Sequence, residues 1–337
     1  MTEPTLKTSS SSSPPSPLSF ITVVQASTLN IRVQGGTVAS PRQFPHIISI
    51  QYQTQPGAAF EHTCGGTIIS SKFILTASHC NFESDGSVVS PSKLSIVYGT
   101  NVLSDCPSSQ IGTFPKCQRV AVKRVMNHAQ YNEQLVVNDI ALYELATPIS
   151  NLPLAHIAKI PRKNPQLQTP HYIVGWGITS DASGVASNEQ RVGVAPLVDD
   201  SNCNKLGLGM SSSNGQLCAG NGDGVDACVG DSGGGLSFKP KNDTQFVVSG
   251  VVSYGPSGCG VPSSVSNRGV YTSVAYFRNW IETQVNGTSP LYYYDGTGGS
   301  DDSPVTEGKN QINEGSIHHW SWMLMISVLF VLLHTNF

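Results

Sequence analysis

The sequence predicts an all-β domain, a sandwich or a barrel, finished by one helix. Short apolar or alternating runs recur from Val33 onward, and clusters of Gly, Asn, Ser and Pro separate them. Charged residues make up 12% of the chain against 33 Gly and 21 Pro, a balance that suits turn-rich strands better than helices. A single helical pattern occurs, Val274 to Val285, with Tyr276, Phe277, Trp280 and Ile281 at helical spacing.

The strand-like runs are His46–Ile50, Phe73–Thr76, Leu94–Tyr98, Val120–Val122, Tyr172–Val174 and Phe246–Val252. They lie between two polar stretches. The first 17 residues are rich in Ser, Pro and Thr and read as disordered. Leu18 to Ala26 is a mildly apolar run ending in small residues, a weak signal-peptide pattern. After Val285 a Gly, Ser, Asp and Thr-rich stretch to Ser316 reads as a flexible stalk. Residues 317–337 form an apolar tail whose core, Trp320 to Leu333, is shorter than the roughly 20 residues that span a bilayer. That tail fits a GPI-attachment signal, a short tail anchor or a segment removed from a soluble enzyme.

The net charge of −3 offers no polyanion-binding surface, so nucleic acid is excluded as an expected partner. Eight Cys, at 64, 80, 106, 117, 203, 218, 228 and 259, read as four disulfides formed in an oxidising compartment. The alternative is free thiols in a cytosolic core. No Cys-x-x-Cys pair is present, which argues against a zinc ribbon or a thioredoxin-like site. Asn242-Asp243-Thr244 and Asn286-Gly287-Thr288 are glycosylation sequons.

Three blocks carry chemistry together: Leu75-Thr76-Ala77-Ser78-His79-Cys80, Asn138-Asp139-Ile140-Ala141-Leu142 and Gly230-Asp231-Ser232-Gly233-Gly234. Each alone is weak, but their joint occurrence in the order His, Asp, Ser is specific. A Ser hydroxyl needs a base within reach to act as a nucleophile at neutral pH, a His supplies that base, and a buried carboxylate orients the His.

On these blocks the chain resembles the chymotrypsin-fold, trypsin-like serine proteases from Val33 to about Val285. The resemblance implies two six-stranded antiparallel β-barrels with a C-terminal helix. It implies an acyl-enzyme endopeptidase with His79, Asp139 and Ser232 as its triad and the N–H groups of Gly230 and Ser232 as its oxyanion hole. Asp226, six residues before Ser232, falls at the base of the family's S1 pocket, with Ser253, Gly255 and Gly269 along the walls. A carboxylate there favours Arg or Lys, and Ala227, lacking a hydroxyl, tilts the choice towards Arg.

Arg32-Val33-Gln34-Gly35-Gly36 resembles the family's activation site. Residues 1–32 are then a leader and activation peptide and 33–285 the peptidase domain. The freed Val33 amine would pair with Asp231. The implied disulfides are Cys64–Cys80, Cys203–Cys218 and Cys228–Cys259, leaving Cys106–Cys117 to pair locally. No cofactor is expected. Asp105 alone is a poor substitute for the two carboxylates with which some family members bind calcium. Expected partners are Arg- or Lys-containing protein substrates and proteinaceous inhibitors, for an extracellular monomer that its tail could tether to a membrane.

Ser78 in place of Ala, Tyr254 in place of Trp and Gly235 in place of Pro depart from the family pattern and are expected to bear on subsites rather than catalysis. A silent binding homologue on the same fold is the alternative function.

Overall fold

The computed structural model describes residues 36–179, 184–256 and 268–296, and these are the residues discussed below. The leader, Arg32, Val33, Cys259 and the tail lie outside them.

Two antiparallel sheets form the body. After β1 (Thr37–Val38), the first sheet comprises β2 (Ile47–Tyr52), β3 (Glu61–Ile68), β4 (Phe73–Thr76), β5 (Leu94–Tyr98), β6 (Gly112–Thr113), β7 (Gln118–Asn127) and β8 (Ala141–Leu145). Its order is β5-β2-β3-β4-β8-β7, and β5 pairs in turn with β7, so six strands close into a barrel with β6 on its rim. Closure leaves no free edge among those six strands. The inward residues Ile48, Ile50, Ile74, Ile96 and Tyr143 fill it.

A short strand, β9 (Ile160–Pro161), lies in the connection to the second sheet, made of β10 (Tyr172–Gly175), β11 (Arg191–Val194), β12 (Leu197–Val198), β13 (Gln216–Ala219), β14 (Gly235–Phe238), β15 (Val247–Tyr254) and β16 (Gly269–Ser273). Pro196 breaks one strand into β11 and β12, because proline has no N–H to donate to a ladder. β11 pairs with β10, and β12 pairs with β13. The broken strand therefore closes a second six-stranded barrel, and the expected two-barrel, mostly β fold is what the chain adopts. β1 adds to its outer edge at β11.

Two α-helices complete the fold among the described residues. α1 (Asp200–Asn204) was not anticipated. Asp199 caps it by accepting from the N–H of Ser201 at 2.9 Å. The expected C-terminal helix is α2 (Arg278–Val285), four residues shorter than the pattern suggested, since residues 274–277 form turns. Its buried stripe is Phe277, Ile281 and Val285, continuing from Val274, whereas Tyr276 faces outward. That stripe packs with Phe73 and Leu142 of the first barrel and Val248 and Val251 of the second, so one core spans both.

The chain does not leave the domain at Val285. Leu291 is buried, and β17 (Tyr293–Tyr294) runs parallel to β9. This part of the expected stalk is packed because four apolar or aromatic residues, Leu291 to Tyr294, follow Pro290 and can cover the inter-barrel connection. Among the described residues no helix is long and apolar enough to cross a membrane.

The connection between barrels carries a buried ion pair. Lys159 Nζ lies 3.0 Å from Asp243 Oδ2, and both side chains are 1% exposed. Lys159 also donates its N–H to Phe246 and accepts from that of Val248. Two desolvated charges add little net stability, but removing one strands the other. Lys159→Met is expected to destabilise the fold by about 3–5 kcal/mol, read by urea denaturation. A loss under about 1 kcal/mol would mean that Asp243 is solvated in solution. Asp243 lies inside a sequon whose Asn242 is exposed and left-handed at φ 67°. Asn286 ends α2 in the same backbone region, at φ 46°.

Candidate active site

Strand pairing brings two of the three motif blocks together. Thr76, the last residue of β4, pairs with Ala141, the first of β8. The turn that follows β4 and the segment that leads into β8 therefore sit side by side, and they carry His79 and Asp139. His79 Nδ1 lies 2.7 Å from Asp139 Oδ2, and the His79 N–H donates to Oδ1 at 2.9 Å. The Ser253 hydroxyl donates to Oδ2 at 2.5 Å, and the Thr272 hydroxyl to the Asp139 carbonyl at 2.8 Å. Four donors thus fix a carboxylate residue that is 1% exposed. Burial alone would raise its pKa, but His79 and these bonds hold it below the usual carboxylate value. Burial alone would lower the His79 pKa, but the Asp139 charge and the hydrogen bond to Asp139 together outweigh that and raise it. With Nδ1–H directed at Asp139, Nε2 of neutral His79 is left as an acceptor.

The third block sits on the turn before β14. Its backbone is tied to both barrels. Gly65 of β3 donates to the Ser232 carbonyl at 2.7 Å, and Gly233 donates to Val252 of β15 at 2.9 Å. The N–H groups of Asp231, Gly233 and Gly234 are all consumed within this scaffold. Those of Gly230 and Ser232 donate to nothing among the described residues. Two free amides on either side of Asp231 are what an oxyanion site requires. Gly230 has φ 96°, and a Cβ there would stand 3.0 Å from the Cα of Gly177, so a side chain would both strain the backbone and press on Gly177.

His62, two residues before Cys64, was not singled out in the sequence, and neither was Ser49. His62 Nε2 lies 2.9 Å from the Gly230 carbonyl, and Nδ1 lies 2.8 Å from Ser49 Oγ. Burial lowers the His62 pKa to about 4. The neutral ring can then donate from Nε2 to Gly230 and accept the Ser49 hydroxyl at Nδ1, which fixes the Gly230 peptide. No local motif points to this link across 168 residues.

Asp231 is wholly buried. Its carboxylate accepts the Gly177 N–H at 2.8 Å and the Cys228 N–H at 3.0 Å. Burial raises its pKa to about 6 against those two donors. No cation pairs with it among the described residues.

A cavity of about 300 Å³ opens beside Ser232. Asp226, Ser253, Tyr254, Gly255, Gly269 and Tyr271 line it. Asp226 is 8% exposed and, among the described residues, accepts only the Ala227 N–H, at 2.8 Å. Burial pushes its pKa up to about 7, and nearby Asp231 adds to the rise. Side chains at Gly255 and Gly269 would begin 3.7 and 3.2 Å from the Asp226 carboxylate, so their absence opens the way to it.

Cys64–Cys80, Cys106–Cys117 and Cys203–Cys218 are bonded as expected. Cys228 is also disulfide-bonded, with its partner outside the described residues. Asp105 is taken by the Lys116 ammonium at 3.0 Å.

Comparison with known proteins agrees with this geometry. The family model named Trypsin matches residues 33–281. The chain belongs to the trypsin family. It is 32% identical to serine protease 56 of Homo sapiens over 77% of this chain, but the match spans only 39% of that protein's length. It is 33% identical to chymotrypsin-like elastase family member 1 of Bos taurus, over 76% of this chain and 90% of the relative. It is 35% identical to trypsin Tyr p 3.0101 of Tyrophagus putrescentiae, over 76% of this chain and 81% of the relative. The match thus places the chain in a family of serine proteases.

Against the trypsin-family pattern, two departures act differently from expectation. Ser78 donates its hydroxyl to the Ile140 carbonyl at 2.7 Å, tying the His79 turn to the Asp139 segment rather than shaping a subsite. At Gly235 a Cβ would meet the Thr67 hydroxyl at 2.4 Å, so Thr67 occupies the space a proline ring would need. Tyr254 lines the cavity while its hydroxyl is anchored away from Asp226, donating to the Leu208 carbonyl and accepting from Gln216.

Proposed function

We propose that this trypsin-family chain hydrolyses peptide bonds after Arg or Lys, using Ser232 as nucleophile, His79 as general base and acid, and Asp139 as the group that orients His79. The observation that carries the specificity is Asp226, a buried carboxylate facing a cavity beside Ser232 with no cation paired to it among the described residues. A substrate guanidinium or ammonium relieves the cost of that burial.

In this reading Ser232 Oγ attacks the scissile carbonyl carbon while His79 Nε2 takes its proton. The oxyanion is held by the N–H groups of Gly230 and Ser232, each contributing roughly 3–4 kcal/mol. The tetrahedral adduct collapses as His79 gives the proton to the leaving amine, whose C–N bond breaks. Water then repeats the sequence on the acyl-Ser232 ester, releasing the new carboxylate and restoring the hydroxyl. Profiling a peptide library with enzyme beginning at Val33 tests the assignment, and cleavage after residues other than Arg and Lys would refute it.

The same reading makes the chain a precursor cut between Arg32 and Val33. Supporting it, Asp231 is a fully buried carboxylate held by two N–H donors alone among the described residues, a place for one added cation. Arg32→Gln is expected to leave the purified full chain essentially inactive until another cut exposes a new amine near Val33. Full activity of that variant without cleavage would defeat the zymogen reading. The disulfides and exposed sequons at Asn242 and Asn286 support an extracellular, glycosylated enzyme, controlled by proteinaceous inhibitors. A GPI anchor on the tail remains part of this proposal, and surface release by a phosphatidylinositol-specific phospholipase tests it.

A further inference from the structure

A cavity outside the cleft, about 410 Å³, shares no lining residue with the one beside Ser232. Five separate stretches of chain build it: the segment before β2, the loop after β5, the β6–β7 rim, the start of the inter-barrel connection, and Gln190. Its walls combine apolar surface from Phe44, Tyr98 and Leu152 with amides from Asn101 and Gln118. Two side chains able to carry positive charge, Arg42 and His156, face it, and no Asp or Glu lines it. Among the described residues neither side chain makes a hydrogen bond or ion pair.

Arg42 is held there at a cost. Ser40-Pro41-Arg42-Gln43 is a turn closed by the Gln43 N–H on the Ser40 carbonyl at 3.0 Å, with Arg42 at φ 58°. With Pro second, this is the turn type whose third position ordinarily takes Gly, since a side chain there strains the backbone. Asn101 clamps it. Its Oδ1 accepts the Arg42 N–H at 2.9 Å, and its Nδ2 donates to the Ser40 carbonyl at 3.0 Å. Arg42 is also close enough to His156 to depress its pKa, on top of the larger effect of burial. One guanidinium and one imidazole able to donate a hydrogen bond, beside an apolar hollow with no carboxylate in its lining, are complementary to an anion that carries an apolar body.

We propose that this cavity is a binding site for a small organic acid, its carboxylate or sulfonate held by Arg42 and His156 and its apolar body lying against Phe44, Tyr98 and Leu152. The volume lies within the range of small-molecule sites.

The test uses 1-anilinonaphthalene-8-sulfonate and the full chain carrying Ser232→Ala, so that proteolysis plays no part. Fluorescence titration is expected to give one saturable site, unaffected by benzamidine, a cation that would compete at Asp226. Arg42→Gly is the decisive variant. Gly relieves the turn, so the melting temperature is expected to hold or rise while the probe binds about ten- to a hundredfold more weakly. His156→Gln is expected to weaken binding in the same direction, and Ser150→Trp, which places an indole at the exposed rim, to abolish it. Wild-type affinity in both Arg42→Gly and Ser150→Trp would overturn the proposal. Equal binding of neutral N-phenyl-1-naphthylamine would overturn it too, as would displacement by benzamidine.

Discussion

Replacing Ser232 by Ala is expected to lower kcat by about 10⁶-fold while leaving the melting temperature where it is. Ser232 Oγ makes no hydrogen bond among the described residues, so its removal breaks no contact that holds the fold. The turn is secured through backbone groups instead, at the Ser232 carbonyl and the Gly233 N–H. The oxyanion amides and the Asp226 cavity persist in the variant, so substrate should still bind, and the loss should fall on kcat rather than KM. Labelling by a fluorophosphonate probe should vanish with it. Undiminished turnover would remove Ser232 from the reaction, and absence of labelling in the Val33-start wild type would favour the silent homologue. Activity of the wild type should also fall on the acid side of the profile at a pH above the ordinary histidine value of about 6.5. The Asp139 carboxylate favours the protonated ring, and only neutral His79 can accept the Ser232 proton.

The second large effect concerns Asp226→Ser. Cleavage after Arg and Lys is expected to drop by about 10⁴-fold in kcat/KM, since a pocket built around one charged partner loses it. Stability should move the other way. Burial holds the Asp226 pKa near 7, above its ordinary 3.8. A carboxyl with a raised folded pKa supports the fold below the unfolded value and withdraws that support as pH rises through the folded one. At pH 8 Asp226 is ionised and buried, so the Ser variant should melt no lower than the wild type and by preference higher. Reduced stability at pH 8 together with intact Arg cleavage would place Asp226 in the scaffold rather than at the floor of the substrate pocket.

Much of the architecture was legible because its strands advertise themselves. Phe73–Thr76 and Leu94–Tyr98 match the observed strands residue for residue, as apolar runs buried on both faces would. β3 was not read from the sequence, since Cys64-Gly65-Gly66 carries neither alternation nor β-branched residues and is held by barrel closure and a disulfide. The helix start was misplaced by four residues because Tyr276 has helical spacing but no core to face. Asp139, His79, Ser232 and Asp226 were legible as motif positions. What the motifs omit is the scaffold that aims them: Ser253 on Asp139, Ser78 on Ile140, and His62 on Gly230 each join residues more than sixty positions apart. The Arg42 cavity is hidden for the same reason, since its lining is scattered along the chain until both barrels have closed.

The two sequon asparagines have a consequence of their own. Asn242 and Asn286 both occupy the left-handed backbone region, which asparagine and glycine enter more cheaply than other residues. Each therefore has a structural reason to be asparagine that owes nothing to a sugar. The customary Asn→Gln replacement changes two things at once, the carbohydrate acceptor and the backbone preference of a tight turn. Asn→Gly separates them, and so does altering Thr244, which is exposed and lies outside the turn residue. Thr288 is a poorer choice, because its hydroxyl donates to the Val285 carbonyl at 2.7 Å and helps finish the helix.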